Sequence, residues 1–133
     1  MNKLILTLLV TALNADNLNI KITNLSNQNG LVYIGLYNKS EDFLKMDKTY
    51  KKVSIRISSQ TLKYRFKNLP KGSYAIALFH DKNQNKRFDR NILGIPKEGY
   101  GFSNNIRPTF RAAKFEEAKF KLDGNKHITI NML

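Results

Sequence analysis

The sequence predicts an all-β protein, an antiparallel Greek-key β-sandwich of about seven strands with one long functional loop. Apolar and polar residues alternate in short runs along most of the chain, which is the period of a half-buried strand. Turn residues such as Asn, Gly, Pro and Asp separate these runs, and no stretch has the period of a long helix. An immunoglobulin-like or transthyretin-like sandwich fits this pattern, and a small closed barrel is the alternative.

The N-terminal segment has the features of an export signal. Lys3 supplies positive charge, residues 4–13 form an apolar run, and the small Ala15 precedes a polar stretch. The apolar run is shorter than the roughly 20 residues that a permanent membrane span requires, and a buried first helix is the weaker alternative. We therefore expect a signal peptide over residues 1–15, one domain over residues 16–133 without a transmembrane segment, and a periplasmic or secreted location.

The first two predicted strands differ in the spacing of their apolar residues. Apolar and polar residues alternate over residues 18–22, which predicts a strand with one buried face. Residues 31–37 (LVYIGLY) are apolar on both faces and predict a strand that is covered on both sides. Residues 38–48 interrupt the pattern.

The next two runs predict a hairpin with one apolar and one cationic face. Residues 53–57 and 62–66 alternate on either side of a short polar turn. We expect Lys63, Arg65 and Lys67 to point to solvent on one side of the sheet.

The remaining strands lie on either side of a long polar segment. Residues 74–79 are apolar on both faces, and residues 118–122 and 128–132 alternate around the turn at 123–124 (Asp-Gly), which predicts a final hairpin. Three residues of the first of these strands are expected to face the centre of the sandwich: Tyr74, Ile76 and Leu78.

Charge and cysteine content restrict the class of partner. The formal net charge is +13, and the chain contains no cysteine, so a disulfide framework, a lipidated cysteine and a Cys-ligated zinc site are excluded. The basic residues are scattered along the chain, which favours a solvated surface over a site for specific nucleic acid. For an exported basic protein, the predicted partner is an anionic envelope component or a polysaccharide.

The segment between residues 80 and 105 carries most of the functional information. A loop of this length is uncommon in a compact domain and is usually functional. Its first half has the spacing of a calcium loop, in which oxygen ligands recur on alternate residues around a turn. The candidate ligands are Asp81, Asn83, Asn85, Asp89 and the backbone carbonyl of Arg87.

Two departures from the calcium pattern predict weak affinity. Lys86 stands where such a loop has glycine, and Ile92 stands where it has a bidentate glutamate. The alternative is a loop in which Asp and Asn side chains bond to their own backbone.

The second half of this segment contains candidate binding residues. Tyr100 and Phe102 lie among glycines that allow close backbone approach, and their rings are suited to bind a sugar or a peptide. The alternative is that both rings fix a long loop to the sandwich.

Three sequence features resemble one bacterial family. The runs YAIALFHDKNQNKRFDRN and LGIPKEGYGFSNN, followed by the spacing of Phe115, Ala118 and Phe120, resemble the family named domain of unknown function 2141. The resemblance covers nearly all of the chain after residue 15. It implies an exported, single-domain β protein without an assigned activity. Its members usually carry Gly at the position of Lys86, so the resemblance implies the fold more strongly than metal binding.

Residues with catalytic potential are few. His80 and His127 have no carboxylate at the spacing of a zinc site, and no Ser or Thr occupies a nucleophile motif. Glu116 and Glu117 are adjacent, so on a strand they would face apart and could not act as a catalytic pair. We therefore predict no catalytic residue and a non-catalytic binding or structural module, with a hydrolase that uses residues 80–105 as the alternative.

Overall fold

The computed structural model describes residues 15–25, 30–81 and 99–132, which contain eight β-strands. The strands are β1 (Asp16–Thr23), β2 (Leu31–Tyr37), β3 (Lys51–Arg56), β4 (Leu62–Leu69), β5 (Gly72–Asp81), β6 (Tyr100–Phe102), β7 (Phe120–Leu122) and β8 (Lys126–Asn131). One helical turn, α1 (Phe115–Ala118), precedes β7. Single 3-10 turns lie at Ser40–Asp42, Met46–Lys48 and Ser103–Asn105.

The strands form two sheets. The smaller sheet has the order β4–β1–β8, and the larger sheet has the order β3–β2–β5–β6, with β7 also paired to β5. Only the pairing of β1 with β8 is parallel among these strands. The predicted all-β sandwich is confirmed, whereas its Greek-key connections and its immunoglobulin or transthyretin type stay predictions.

One core lies between the sheets. Alternate side chains of each strand point to the same face, so the apolar positions of both sheets meet. Ile20 and Ile22 of β1 pack in one cluster with the strands of the larger sheet. Tyr74, Ile76 and Leu78 belong to the same cluster, which confirms the inward orientation predicted for β5.

Both predicted hairpins are wrong, although the alternation within each strand is right. β3 pairs with β2 in the larger sheet, whereas β4 pairs with β1 in the smaller sheet. In the same way β7 pairs with β5, whereas β8 pairs with β1. An alternating run specifies which face of a strand is buried but not which strand is its neighbour. The turn after such a strand can therefore lead either to a hairpin partner or to a strand of the other sheet.

The larger sheet is covered on its outer face as well. β2 and β5 are buried on both sides, as predicted. Phe43, from the segment between β2 and β3, packs edge-on against Tyr37 and Phe115 at centroid distances of 5.2 and 6.0 Å. Ala75 and Ala118 complete this second apolar cluster, so α1 and the segment after β2 act as the cover of the sheet.

Polar side chains after β6 connect these layers. The buried Ser103 hydroxyl accepts a hydrogen bond from the Ile76 N–H at 2.9 Å and donates to the Ala118 carbonyl at 2.5 Å. The Asn105 amide donates to a β8 carbonyl at 3.1 Å and accepts from a β8 N–H at 2.9 Å. This segment therefore joins β5, α1 and the edge of the smaller sheet.

Candidate functional site

A pocket on the outer face of the larger sheet is the candidate binding site. Ala77 is paired with Gly35, and these two small residues leave a depression between larger side chains. The pocket has a volume of about 60 Å³. Its lining consists of Tyr33, Tyr37, Leu44, Met46, Ala77, Leu78, Phe79, Tyr100 and Phe102.

Aromatic rings form two walls of this aromatic pocket. Tyr33 and Phe79 are paired across β2 and β5, and their rings stack with centroids 5.1 Å apart. Tyr100 and Phe102 lie on the same face of β6, with their ring centroids 5.7 Å apart, and both are half-buried. Residues two apart on a strand share a face, so both rings reach the pocket.

The structure brings the two predicted binding residues together but changes their setting. Tyr100 and Phe102 were expected in a long loop, whereas they form a strand that pairs with residues 77–79. The same correction applies to His80 and Asp81, which end β5. Backbone hydrogen bonds between strands hold residues 100–102 against β5. The run Tyr-Gly-Phe places both rings on one face of the strand and the small glycine on the other, which suits the edge of a sheet. A role of either ring in binding stays a prediction.

Leu44, at the rim, has an unusual backbone conformation. Its φ of 68° lies in the left-handed region, which a leucine rarely adopts. Such a conformation costs about 1–3 kcal/mol, and strained residues of this kind cluster at binding and catalytic sites. Leu44 and Met46 are half-buried at the pocket, so the strained turn positions apolar side chains at its rim.

The described lining of the pocket has no acidic or basic side chain, and two of its hydroxyl groups have raised pKa values. Burial raises the pKa of Tyr33, and the neighbouring Thr49 side chain partly offsets this rise. Burial also raises the pKa of Tyr37 far above its ordinary value, and Tyr33 and Asp47 raise it further. Within the described residues, the Tyr33 hydroxyl is buried and makes no hydrogen bond of standard geometry.

The predicted calcium ligands lie mostly outside the described residues. Asp81 is the last residue of β5, is paired with Leu31 and is 1% exposed. The other candidate ligands, Asn83, Asn85, Arg87 and Asp89, fall between the described ranges 30–81 and 99–132. Within those ranges no three His, Asp or Glu side chains are grouped to hold a metal ion. The calcium site stays a prediction.

The two histidines lie on different sheets, His80 on β5 and His127 on β8. His80 is buried, and its backbone N–H donates a hydrogen bond to the backbone carbonyl of Gly99 at 2.7 Å. It lies next to Asp81 in one strand, so the two side chains project to opposite faces, as predicted for a strand. His127 is exposed on the outer face of the smaller sheet.

Glu116 and Glu117 lie in the helical turn α1 and not on a strand. Phe115 and Ala118 are both buried, and a spacing of three residues places them on one face of a helical turn. Glu117 bonds to Arg111 through both carboxylate oxygens, at 2.7 and 2.8 Å.

Sequence reasoning missed Tyr33, Tyr37 and Phe79 as pocket residues. Their signal is present in the run YIGLY, where two tyrosines flank a glycine on the same face of a strand. A small residue between two rings predicts a depression between them. The partner strand supplies the matching small residue, Ala77, and the register that joins them is not readable from one strand alone.

The fold and the pocket define a two-sheet β-sandwich with an aromatic pocket on one outer face. Residues 20–131 match the family described as an uncharacterised protein conserved in bacteria, domain of unknown function 2141, and the chain belongs to that family. The resemblance noted from the sequence is thereby confirmed. No curated protein and no solved structure matches the chain. Within the described ranges, no helix has the length and apolar character needed to traverse a bilayer.

Proposed function

We propose that the protein is a non-catalytic, exported binding module that takes one uncharged ring of its ligand into the aromatic pocket. The observation that carries this proposal is the set of four aromatic rings around Ala77, in which Tyr33 stacks on Phe79 and Tyr100 lies beside Phe102. Rings present flat apolar faces to sugars and aromatic side chains at little cost in conformational entropy. The ligand class is therefore a neutral sugar or an aromatic peptide side chain.

The size of the pocket determines how much of the ligand it holds. Its volume of about 60 Å³ is well below the 300–1,000 Å³ that is typical of sites for whole small molecules. The pocket accordingly receives a single group, while the rest of the ligand lies over the half-buried Tyr100 and Phe102.

The chemistry of the lining supports binding over catalysis. A general base or nucleophile requires a group whose pKa suits the working pH, and the pKa values of Tyr33 and Tyr37 are shifted upward. Both hydroxyls act as hydrogen-bond donors or acceptors without losing their protons.

Binding is tested with ligand-observed NMR on the whole folded protein, using neutral monosaccharides and peptides that carry one aromatic residue. Phe102→Ala removes half of one wall, and Ala77→Val adds two methyl groups to the floor. Both variants are expected to lose binding. Phe110→Ala is the matched control, because Phe110 is 93% exposed and is absent from the pocket lining. Equal binding by wild type, Phe102→Ala and Ala77→Val contradicts the proposal.

The hydrolase alternative is addressed by a panel of chromogenic esters and glycosides. We expect no turnover above that of a heat-denatured sample. Turnover that is abolished by a substitution between residues 80 and 105 contradicts the non-catalytic part of the proposal.

The export part of the proposal rests on the N-terminal sequence. Lys3, the apolar run 4–13 and Ala15 predict a cut before Asp16, which is the first residue of β1. Such a cut leaves intact the hydrogen bond that the Asp16 carboxylate accepts from the Gly124 N–H at 2.9 Å. Protein isolated from the native host is expected to begin near Asp16. Full-length protein recovered from the cytoplasm contradicts export.

A further inference from the structure

In the described part of the chain, the outward positions of the smaller sheet carry basic and neutral polar side chains and no acidic one. Its outward positions are Asn17, Asn19, Lys21 and Thr23 on β1, Lys63, Arg65 and Lys67 on β4, and His127, Thr129 and Asn131 on β8. Lys63, Arg65 and Lys67 are exposed, which confirms the orientation predicted for them. We use the term cationic face for the surface formed by Asn19, Lys21, Lys63, Arg65, His127 and Thr129.

The strand register places two lysines directly opposite each other. Lys21 of β1 is paired with Lys63 of β4, and like charges at paired positions destabilise a sheet. The ion pairs among the described residues involve Lys71, Arg111 and Lys119, which lie outside this face. An anion seated between Lys21 and Lys63 removes this repulsion.

Arg65 is held in position for the same anion. Its Nε donates to the Asn19 side-chain oxygen at 2.6 Å. This bond leaves the N–H groups of both Nη atoms for a ligand, and a guanidinium with a fixed plane is suited to bind a carboxylate through two hydrogen bonds. Because Asn19 is paired with both Arg65 and His127, polar groups extend across all three strands.

The cationic face also has the concavity of a binding groove. Its residues line an open depression of about 490 Å³, which lies within the range of ligand sites. A groove that crosses three strands suits an extended chain better than an isolated ion.

We infer that the cationic face binds an acidic polysaccharide, with sugar carboxylates between Lys21, Lys63 and Arg65 and sugar hydroxyls on the neighbouring Asn and Thr side chains. A membrane surface is less suitable, because the exposed large apolar residues of the described ranges, Tyr50 and Phe110, are not on this face. Single-stranded nucleic acid is also less suitable, because its bases stack on exposed aromatic rings, whereas Tyr64, the aromatic residue in the lining of this depression, is half-buried against the core. The inference is independent of the aromatic pocket.

The test compares two triple variants that remove the same charge. Lys21→Gln, Lys63→Gln and Arg65→Gln together neutralise the cationic face. Lys51→Gln, Lys52→Gln and Arg56→Gln together neutralise two lysines and one arginine that are exposed on β3 of the other sheet. The probe is polygalacturonate, with neutral dextran, a single-stranded oligonucleotide and phosphatidylglycerol vesicles as the other arms.

We expect polygalacturonate to bind the wild type in a salt-sensitive manner and dextran not to bind. The cationic-face variant is expected to bind about tenfold more weakly than the β3 variant, since each exposed ion contact contributes modestly. The inference is overturned if the two variants lose affinity for polygalacturonate equally. It is also overturned if the wild type binds the oligonucleotide or the vesicles more tightly than polygalacturonate. As a readout that needs no variant, polygalacturonate must shift the backbone amide NMR signals of residues 19–21, 63–65 and 127–129, and shifts confined to other residues overturn it as well.

Discussion

The two outer faces of the sandwich differ in what their side chains require. On the larger sheet, the tyrosine and phenylalanine side chains of β2 and β5 that line the pocket point away from the core. Phe43, from the segment after β2, packs on Tyr37 and on Phe115 of α1, so these two segments cover the part of this face around Tyr37. On the smaller sheet, Lys21 and Arg65 occupy the corresponding outward positions and need no cover. The larger sheet therefore carries an apolar pocket next to its cover, and the smaller sheet carries an exposed cationic face.

The difference follows from the spacing of apolar residues within each strand. Strict alternation in β1 and β4 buries one face and leaves the other for charge. The continuous apolar runs of β2 and β5 require a layer on each side, and on the outer side this layer includes Leu44 and Met46 from the irregular segment after β2, which line the pocket. A pocket under the cover of the larger sheet is thus a consequence of the same pattern that makes its strands central.

The largest difference between the two sheets is expected in the loss of stability when a core isoleucine is truncated. Ile76, on the doubly covered β5, is fully buried, whereas Ile128, on the edge strand β8, is half-buried. Ile76→Ala should lower the free energy of unfolding by about 2–5 kcal/mol, as truncation of a buried aliphatic side chain does. Ile128→Ala should cost about 1 kcal/mol. Urea unfolding of both variants measures the contrast, and equal losses remove the distinction between a doubly covered and a singly covered sheet.

A second test concerns Gly101, where the larger sheet contacts β8 of the smaller sheet closely. A Cβ atom on Gly101 of β6 would lie 2.9 Å from the Cγ2 atom of Ile130 and 3.3 Å from the carbonyl oxygen of Asn131. Gly101→Ala should therefore cost about 1–3 kcal/mol through overpacking.

Gly72→Ala is the matched control for this substitution. It places the same methyl group on β5, where the nearest atom is 3.9 Å away, in ordinary contact. We expect unchanged or slightly higher stability, because alanine restricts the unfolded chain. Equal effects of the two substitutions in thermal unfolding would show that the sheets are not in close contact at Gly101.

The sequence predicts the faces of strands better than their neighbours. Alternation identifies Ile76 as inward and Lys63 as outward, because a period of two is a local property. It assigns β3 and β4 to one hairpin wrongly, because both strands bury their apolar faces in the same core whichever sheet they join. Pairing is a long-range property, and turn residues alone do not distinguish a hairpin from a crossing between sheets.

The residues of the candidate sites also fall into two groups, those that the local sequence identifies and those that depend on which strands are neighbours. Tyr100 and Phe102 are identifiable because they are adjacent aromatic residues among glycines. Tyr33 and Phe79 become part of the pocket only through the register of β2 with β5. The opposition of Lys21 to Lys63 likewise depends on which strands are neighbours, so a formal charge of +13 predicts a basic protein but not a basic groove.

The predicted calcium loop connects β5 and β6 of the larger sheet in the sequence, and calcium binding to it can be tested through stability. With dissociation constants of about 10⁻⁴–10⁻³ M, calcium at about 1 mM should stabilise the folded protein by about 0.4–1.4 kcal/mol. A thermal melt in calcium and in chelator measures this difference. Magnesium is the control ion, because it requires a smaller octahedral site.

Two substitutions sharpen the calcium test. Asp89→Ala should abolish the calcium-induced rise in melting temperature, and Lys86→Gly should enlarge it, because glycine eases the turn and removes a positive charge. Identical melts of the wild type in calcium and in chelator would favour a loop whose Asp and Asn side chains bond to their own backbone.

The smallest expected effect concerns the cover of the larger sheet and depends on pH. Hydrogen bonds from the Arg111 guanidinium lower the pKa of Glu117 to about 2, and the Lys114 N–H contributes to this shift while desolvation opposes it. A carboxylate with a lowered pKa in the folded state stabilises that state above its ordinary pKa of 4.5 and loses this effect as the pH falls through about 2. Glu117→Gln should therefore slightly reduce stability at neutral pH, and its difference from the wild type should shrink between pH 4.5 and 2.

Glu116→Gln provides the control for this last substitution, because it removes the same charge from the same helical turn. Glu116 bonds at 2.5 Å to Lys119, but its side chain is 65% exposed, and an exposed pair of this kind contributes little to stability. Urea unfolding of both variants across the acidic range compares them directly. If Arg111 and Glu117 help to hold α1 over the larger sheet, only Glu117→Gln shows a loss at neutral pH that disappears in acid. A loss that persists unchanged at pH 2 would assign the effect of Glu117 to its packing, and the cover would then depend on the apolar contacts of Phe115 and Ala118 alone.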